Sequence, residues 1–265
     1  MALYGAGDSG DPGGNIIAAV ICAAGSSKRM GGKKKEYLPL PSPENKSQAA
    51  KSPLTVLGAA VSAFASCLQI GPIVITVPPG EEKEAAACLP PDICSEKLFG
   101  CEGSERIRFV PGGKTRRSSV HKALILLKSY HPSLVLIHDG ARPWIKQDLI
   151  EKVIEAAIKH SAVIPALPLI ETPKELCSTE VGPDFSDTKL IKRHLRREDL
   201  CTAQTPQGFA FKEILAAHEK AREKEEKENF EYTDDAEVWG EFVGQVAVIK
   251  GDPANRKITF PEDLI

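Results

Sequence analysis

Short apolar runs alternating with amphipathic stretches organise most of this chain. Residues 16–22 are apolar and rich in β-branched side chains, which suits a strand buried on both faces. Helical spacing of apolar positions follows over 54–68, then a strand over 72–77 and a helix over 81–89. Residues 107–110 predict a short strand, and Gly112-Gly113 precede a helix from about 117 to 130. A strand at 134–138, a helix at 147–160 and a strand at 162–166 continue the series. This alternation predicts an α/β fold: a Rossmann-like, mainly parallel sheet with helices on both faces. The pattern breaks at 168–202, where a polar loop and an extended stretch at 189–195 predict a β-arm projecting from the body. A helix over 211–229 ends in a charge run that reads as a solvated face. Residues 245–249 and 257–260 predict the last strands. The polar 41–53 and the aperiodic 94–105 read as loops. Residues 1–15, rich in Gly and Asp, read as a flexible lead-in to a single domain over 16–265.

Composition narrows the function. With 265 residues, 42% hydrophobic and 26% charged, the chain is neither collagen-like, nor wholly disordered, nor a coiled coil. Lys and Arg total 34 against 36 for Asp and Glu, a formal net charge of -2, so no nucleic-acid partner is expected. Any anion site must come from locally clustered cations. The longest apolar run, 16–24, is far short of the roughly 20 residues that span a membrane, and no membrane association is expected. Asp8 and Asp11 precede it, where a signal peptide would carry basic residues. The seven cysteines are irregularly spaced, and Cys88, Cys94 and Cys101 lack zinc-site spacing. Reduced thiols in a cytoplasmic protein are expected, with a plastid-type organelle as the alternative.

In an open parallel sheet, ligands collect at the carboxyl ends of the strands, so segments just after strands are the informative ones. Gly5-x-Gly7-x-x-Gly10 matches a dinucleotide fingerprint but precedes the first strand, so its mechanism fails. Gly113-Lys114-Thr115 resembles the end of a phosphate loop, but Arg108 stands where the first glycine is required. Ala23-Ala24-Gly25-Ser26-Ser27-Lys28-Arg29-Met30 is better placed, directly after the first strand. Its small residues let backbone amides approach phosphate oxygens. Lys28, Arg29, Lys33, Lys34 and Lys35 then concentrate five cations, which points to a polyphosphate; the bland alternative is a solvated basic loop. Gly112-Gly113 with Thr115, Arg116 and Ser119 offers turn glycines, hydroxyls and cations near a helix start, suiting a base or phosphate. Asp139, at the end of the 134–138 strand, is placed to hold Mg2+, which needs only one or two carboxylates beside phosphate oxygens; the alternative is a turn or cap Asp. Asp234 and Asp235 either cap the following helix or supply a second carboxylate.

Taken in order, these motifs resemble the 2-C-methyl-D-erythritol 4-phosphate cytidylyltransferases of the nucleotidyltransferase superfamily. The resemblance rests on Ala23-Ala24-Gly25 with Arg29-Met30, Lys35-Glu36-Tyr37-Leu38, Gly112-Gly113 with Arg116 and Ser119, and His138-Asp139-Gly140-Ala141-Arg142-Pro143. It continues through Thr205-Pro206-Gln207-Gly208-Phe209, Thr233-Asp234-Asp235-Ala236 and Lys257-Ile258-Thr259. It implies cytidylyl transfer from CTP to a polyol phosphate in non-mevalonate isoprenoid synthesis, with release of pyrophosphate. Ala23, Ala24, Gly25, Gly113, Lys114 and Ser119 would bind CTP, and Asp139 would hold Mg2+. Arg29, Lys35 and Lys257 would stabilise the transition state. Arg142, Thr172, Arg197 and Thr205 would contact the methylerythritol phosphate, and Arg197 lies on the arm through which the family forms homodimers. Lys34 stands where the family usually has Pro, and the spacing from Gly25 is one residue short, so Lys33 and Lys34 are alternatives for the role of Lys35. A ribitol 5-phosphate cytidylyltransferase is the nearest rival, against which Ala141 before Arg142-Pro143 argues. A noncatalytic CTP-binding module is the rival from another class.

Overall fold

The computed structural model describes residues 15–27, 30–41, 54–94, 105–177, 189–228 and 230–264. The expected lead-in at 1–15 and the loops at 41–53 and 94–105 lie almost wholly outside these residues. The first strand, β1 (Ile17–Cys22), runs through the middle of the sheet. It pairs in parallel with β2 (Ile70–Val77) on one side and with β4 (Leu134–Asp139) on the other. Beyond β2 lies β3 (Ile107–Pro111), also parallel. Beyond β4 comes β9 (Gln207–Ala210), an antiparallel strand absent from the sequence reading, then β5 (Ala162–Pro168) and β10 (Ala247–Lys250), parallel to each other. The chain therefore leaves β1 toward β2 and β3, then crosses back to place β4 on the opposite side. That reversal opens a crevice at the carboxyl ends of β1 and β4.

Period-two alternation in β1 sends Ala19 and Ile21 to one face and Ala18 and Val20 to the other. The first face packs on α1 (Val56–Ala65) and α5 (Gln147–His160) through Leu57, Val61, Phe64, Leu149, Ile150, Val153 and Ile154. The second packs on α4 (Arg116–Leu127), α6 (Phe211–Glu228) and α7 (Asp235–Phe242) through Val120, Leu124, Leu127, Ile214 and Trp239. Each such side chain contributes roughly 1.5–3 kcal/mol on burial, which is why these strands carry almost no polar residues. Thr55 caps α1 by accepting from the Gly58 amide and donates its hydroxyl to the Cys88 carbonyl at 2.7 Å. That contact docks the α2 region (Glu82–Ala87) and a short helical turn, α3 (Pro91–Cys94), beside the sheet. Asp234 caps α7, accepting from Glu237 at 2.9 Å.

Within the stretch expected to form an arm, a small separate sheet is found. β6 (Lys174–Leu176) and β7 (Ile191–His194) form a two-stranded antiparallel sheet apart from the main one. Glu175 holds it with Lys192 at 2.6 Å and Arg193 at 2.9 Å. Pro168 belongs to β5, and β8 (Cys201–Ala203) pairs back onto β5, so the described residues between them are 169–177 and 189–200.

The strand expected at 257–260 does not form. Its polar backbone groups find partners outside any sheet: the Ile258 amide donates to Ala141, and the Thr259 and Phe260 amides donate to the Asp263 carboxylate. Among the described residues, no helix is long and apolar enough to cross a membrane.

Candidate active site

Four strands end at one cleft of about 570 Å3. Register places Cys22 level with Thr76 on β2 and with Asp139 on β4, so the loops after these strands must converge. Gly140 donates to the Cys22 carbonyl at 2.9 Å, and Gly112 donates to Val77 at 2.7 Å. A side chain at Gly112 would put its Cβ 2.4 Å from the Ala24 Cβ, so only glycine lets the loops after β1 and β3 touch. Ser119 reaches back from the first turn of α4 and accepts from the Gly113 amide at 2.9 Å. Thr115 caps that helix in a reciprocal capping box with Ser118.

Asp139 is the hub. Lys257 Nζ lies 2.9 Å from one carboxylate oxygen, which Arg142 Nε approaches at 3.4 Å; Arg116 Nε is 3.6 Å from the other. Burial pushes the Asp139 pKa up, but Lys257, Arg116 and Arg142 together outweigh it and hold the group well below the usual carboxylate range. Beneath it runs a buried relay. The Asp139 amide donates to Thr205 Oγ1 at 3.0 Å, and Thr205 Oγ1 lies 3.0 Å from His138 Nδ1. His138 Nε2 lies 3.2 Å from the Arg142 carbonyl, which can only accept. The imidazole is therefore the neutral Nε2–H tautomer, with the threonine hydroxyl donating to Nδ1. Burial agrees, pulling the His138 pKa down to about 4.

Both catalytic lysine candidates arrive through one segment. Arg142 donates to the Asn255 carbonyl at 2.8 Å, and Asn255 Nδ2 donates to the Thr205 carbonyl at 2.7 Å, which anchors the chain entering Lys257. Lys35 Nζ then donates to the Ile258 carbonyl at 2.7 Å. Arg116 is held from behind by Asp235 of α7 at 2.7 Å. Burial alone would lower the Arg116 pKa, but Asp235, Cys22 and Asp139 raise it, so this cation stays charged. Cys22, on the cleft floor, has its thiol pushed up to about 12 by burial and is no nucleophile.

The cleft is lined by Ala24, Gly25, Gly113, Lys114, Ser119, Lys35, Asp139 and Lys257, all expected from sequence. Ala23 is buried beneath the loop, donating to Thr76. Arg29 and Lys28 lie outside the described residues. The three described lysines of the five-cation cluster do not act as one patch: Lys33 is exposed and does not line the cleft, and Lys34 turns to the carbonyls of Ala23 and Gly25. Lys35 alone of the three described lysines lines the cleft, so the geometry separates the three where spacing could not. Arg142 and Thr205 sit behind Asp139 and do not line the cleft, because their polar atoms are engaged by Asp139, Asn255 and His138. Thr172 and Arg197 lie exposed on and beside the arm, with Arg197 donating to Ile170 at 3.1 Å. Glu36 and Glu231 line the cleft without a role expected from sequence: Glu36 lies within the Lys35-Glu36-Tyr37-Leu38 motif, and Glu231 shortly before Thr233-Asp234-Asp235-Ala236. Asp234 takes the cap role left open for the pair, whereas Asp235 is buried against Arg116 and does not line the cleft as a second carboxylate. Among the described residues, no three His, Cys, Asp or Glu side chains are grouped to hold a metal.

A doubly wound sheet with a cation-lined cleft at its switch point is the α/β architecture in which ligands collect beyond the carboxyl ends of the strands. The family model for 2-C-methyl-D-erythritol 4-phosphate cytidylyltransferase, IspD, matches residues 17–265, and the chain belongs to that family. It is 33% identical over 248 residues to a bifunctional IspD/IspF enzyme of Bartonella henselae, covering 94% of this chain and 55% of that one. A second bifunctional IspD/IspF enzyme, from Novosphingobium aromaticivorans, is 34% identical over 251 residues, covering 95% and 55%. This chain thus spans about half the length of the curated relatives it matches. Among solved structures, a 4-diphosphocytidyl-2C-methyl-D-erythritol synthase of Anaerococcus prevotii superposes with a TM-score of 0.67 at 27% identity, covering 94% and 93%. The 2-C-methyl-D-erythritol 4-phosphate cytidylyltransferase of Thermus thermophilus gives 0.64 at 28%, covering 94% and 95%.

Proposed function

We propose that this chain transfers the cytidylyl group of CTP to 2-C-methyl-D-erythritol 4-phosphate, giving the CDP-alcohol and pyrophosphate. The observation that carries this reading is the convergence of Lys35, Arg116, Lys257 and Asp139 on one cleft at the switch point of the sheet, in a chain of this family. An acceptor phosphate oxygen forms a bond to the α-phosphorus, and the bond from that phosphorus to the pyrophosphate oxygen breaks. The acceptor phosphate is already anionic at neutral pH, so no general base is required. The obstacle is repulsion between two anions, and the chain's task is to neutralise charge in a partly dry cleft. Lys35 and Lys257 act on the reacting phosphates, with Arg29 as a third cation. Gly113, Lys114 and Ser119 hold the cytidine end, and the amides of the Ala24–Gly25 segment face the triphosphate.

Asp139 fits Mg2+ only in part. It is one carboxylate with three cations around it, a poor site for a free divalent ion. It suits an ion that arrives with the triphosphate, whose oxygens supply the remaining ligands. Bound there, Mg2+ would offset phosphate charge as a Lewis acid. Arg142 and Thr205 act through Asp139, as positioning groups. Thr172 and Arg197 serve the acceptor of a second copy, through a homodimer formed by the arm. The deciding assay is pyrophosphate release with CTP and Mg2+ against both acceptors. Turnover with methylerythritol phosphate is expected; exclusive use of ribitol 5-phosphate, or CTP binding without release, overturns the reading.

A further inference from the structure

Lys34 does something different from its neighbour Lys35. Its Nζ donates to the Ala23 carbonyl at 2.6 Å and to the Gly25 carbonyl at 2.5 Å. It also lies 3.7 Å from Glu36 Oε2, which accepts from Ser27 Oγ at 3.3 Å. The Lys34 side chain is 15% exposed. Ala24, Gly25, Ser26 and Ser27 line the cleft, whereas Lys34 does not. The lysine thus grips the loop through its carbonyls without itself lining the cleft, beside Glu36, which does.

A trans peptide is planar, with its C=O and N–H pointing in opposite directions. Drawing the Ala23 carbonyl toward Lys34 turns the Ala24 amide the other way, and drawing the Gly25 carbonyl does the same to the Ser26 amide. Among the described residues, no acceptor meets either amide. A Cβ at Gly25 would meet nothing within 4 Å, so the ground above these amides is open. Ser27 follows with φ +49, the left-handed geometry that closes a concave nest of amides around an anion.

We propose that Lys34 is a positioning residue: by fixing the carbonyls of Ala23 and Gly25, it aims the amides of Ala24 and Ser26 away from itself, into the cleft, for the nucleotide triphosphate. This rests on the CTP reading above. Lys34 itself touches no phosphate. Without its three-way clamp the two peptide planes are free to rotate, and the nest must be formed anew each time a nucleotide binds.

The test is Lys34→Met in the full chain, which keeps most of the apolar stem and removes the donors. Loss of charge-assisted hydrogen bonds to the loop should raise the KM for CTP roughly tenfold. The KM for the acceptor and the melting temperature should hold, and kcat should stay within about twofold of wild type; this split is one that a general loss of structure would not give. In the nucleotide-free protein, amide exchange over 23–27 should quicken. Should Lys34→Met fail to fold, Lys34→Arg gives the same readouts with a smaller rise. An unchanged KM for CTP in a folded variant, or an equal rise for both substrates, overturns the clamp. A wild-type chain that turns over no CTP overturns the functional reading instead. The exchange measurement needs no turnover: unchanged exchange over 23–27 in Lys34→Met contradicts the clamp on its own.

Discussion

The wall around Asp139 and the arm present opposite designs within one chain. The wall is buried and cross-linked: one carboxylate meets three cations, and the backbone behind it is tied through Thr205, His138 and Asn255. The arm is two short strands with Ile170 83% exposed and Leu176 50% exposed, held by ion pairs on a single glutamate. Charge chemistry is thus built inside one chain. Thr172 and Arg197, by contrast, are exposed on and beside the arm, and the role proposed for them depends on a proposed homodimer. The contrast teaches that residues sharing one proposed ligand can be placed under different physical demands. Fixed charge must be preorganised in a dry place, while a proposed docking surface can stay exposed.

The sharpest way to break this contrast is to remove the hub. Asp139→Ala leaves Arg116, Arg142 and Lys257 facing one another, and should cost about 3–5 kcal/mol of stability along with turnover, as stranding buried charge does. Urea unfolding measures it, and a loss under 1 kcal/mol would make the wall no more essential than surface ion pairs. Lys35→Ala should lower kcat by roughly 10²–10³ with the fold intact by circular dichroism, the loss typical of one preorganised donor; near-normal turnover would discard its role.

A smaller effect follows from His138. Its folded pKa of about 4 lies below the unfolded value of about 6.5, so the unfolded chain takes up the proton first. The stability from keeping this ring neutral is full above about pH 6.5 and is lost as pH falls toward 4. His138 alone accounts for about 2 kcal/mol between pH 7 and pH 5. His121, also drawn down to about 4 by burial and by His218, adds to the same slope. Asp139 carries the usual carboxylate sign, and its contribution fades only at much lower pH. Urea titrations at the two pH values should show the loss in wild type and a flatter profile in His138→Asn; a flat wild-type profile contradicts the buried neutral ring. The smallest effect belongs to the arm. Arg197→Ala should raise the acceptor KM roughly tenfold, about 1.4 kcal/mol, without moving the CTP KM or the unfolding midpoint.

Much of this was legible in the sequence because buried parallel strands are apolar throughout. The runs that became β1, β2, β4 and β5 could hardly be anything else, and α5 was bounded to the residue at Gln147 and His160. Asp139 and the loop after β1 were legible because switch-point chemistry must follow strands. What stayed hidden was non-local. β9 pairs antiparallel between β4 and β5 through Thr205-Pro206-Gln207-Gly208-Phe209, a motif that predicts no strand because it holds a proline and a glycine. β6 is only three residues, two exposed around a half-buried Glu175, too short for alternation to be read from sequence. Residues 257–260 are extended for the sake of Lys35, Ala141 and Asp263 rather than a sheet. No spacing rule distinguishes Lys34 from Lys35; only the path of the loop sends one to backbone carbonyls and the other to the cleft.

A crystal structure with CTP and Mg2+ tests the cleft most directly. The triphosphate should lie against the Ala24 and Ser26 amides, with Lys35 and Lys257 within hydrogen-bond distance of the α-phosphate and Asp139 beside the ion. A nucleotide seated elsewhere, such as the groove between α5 and β10 lined by Lys152, Lys159 and Lys250, would contradict the account.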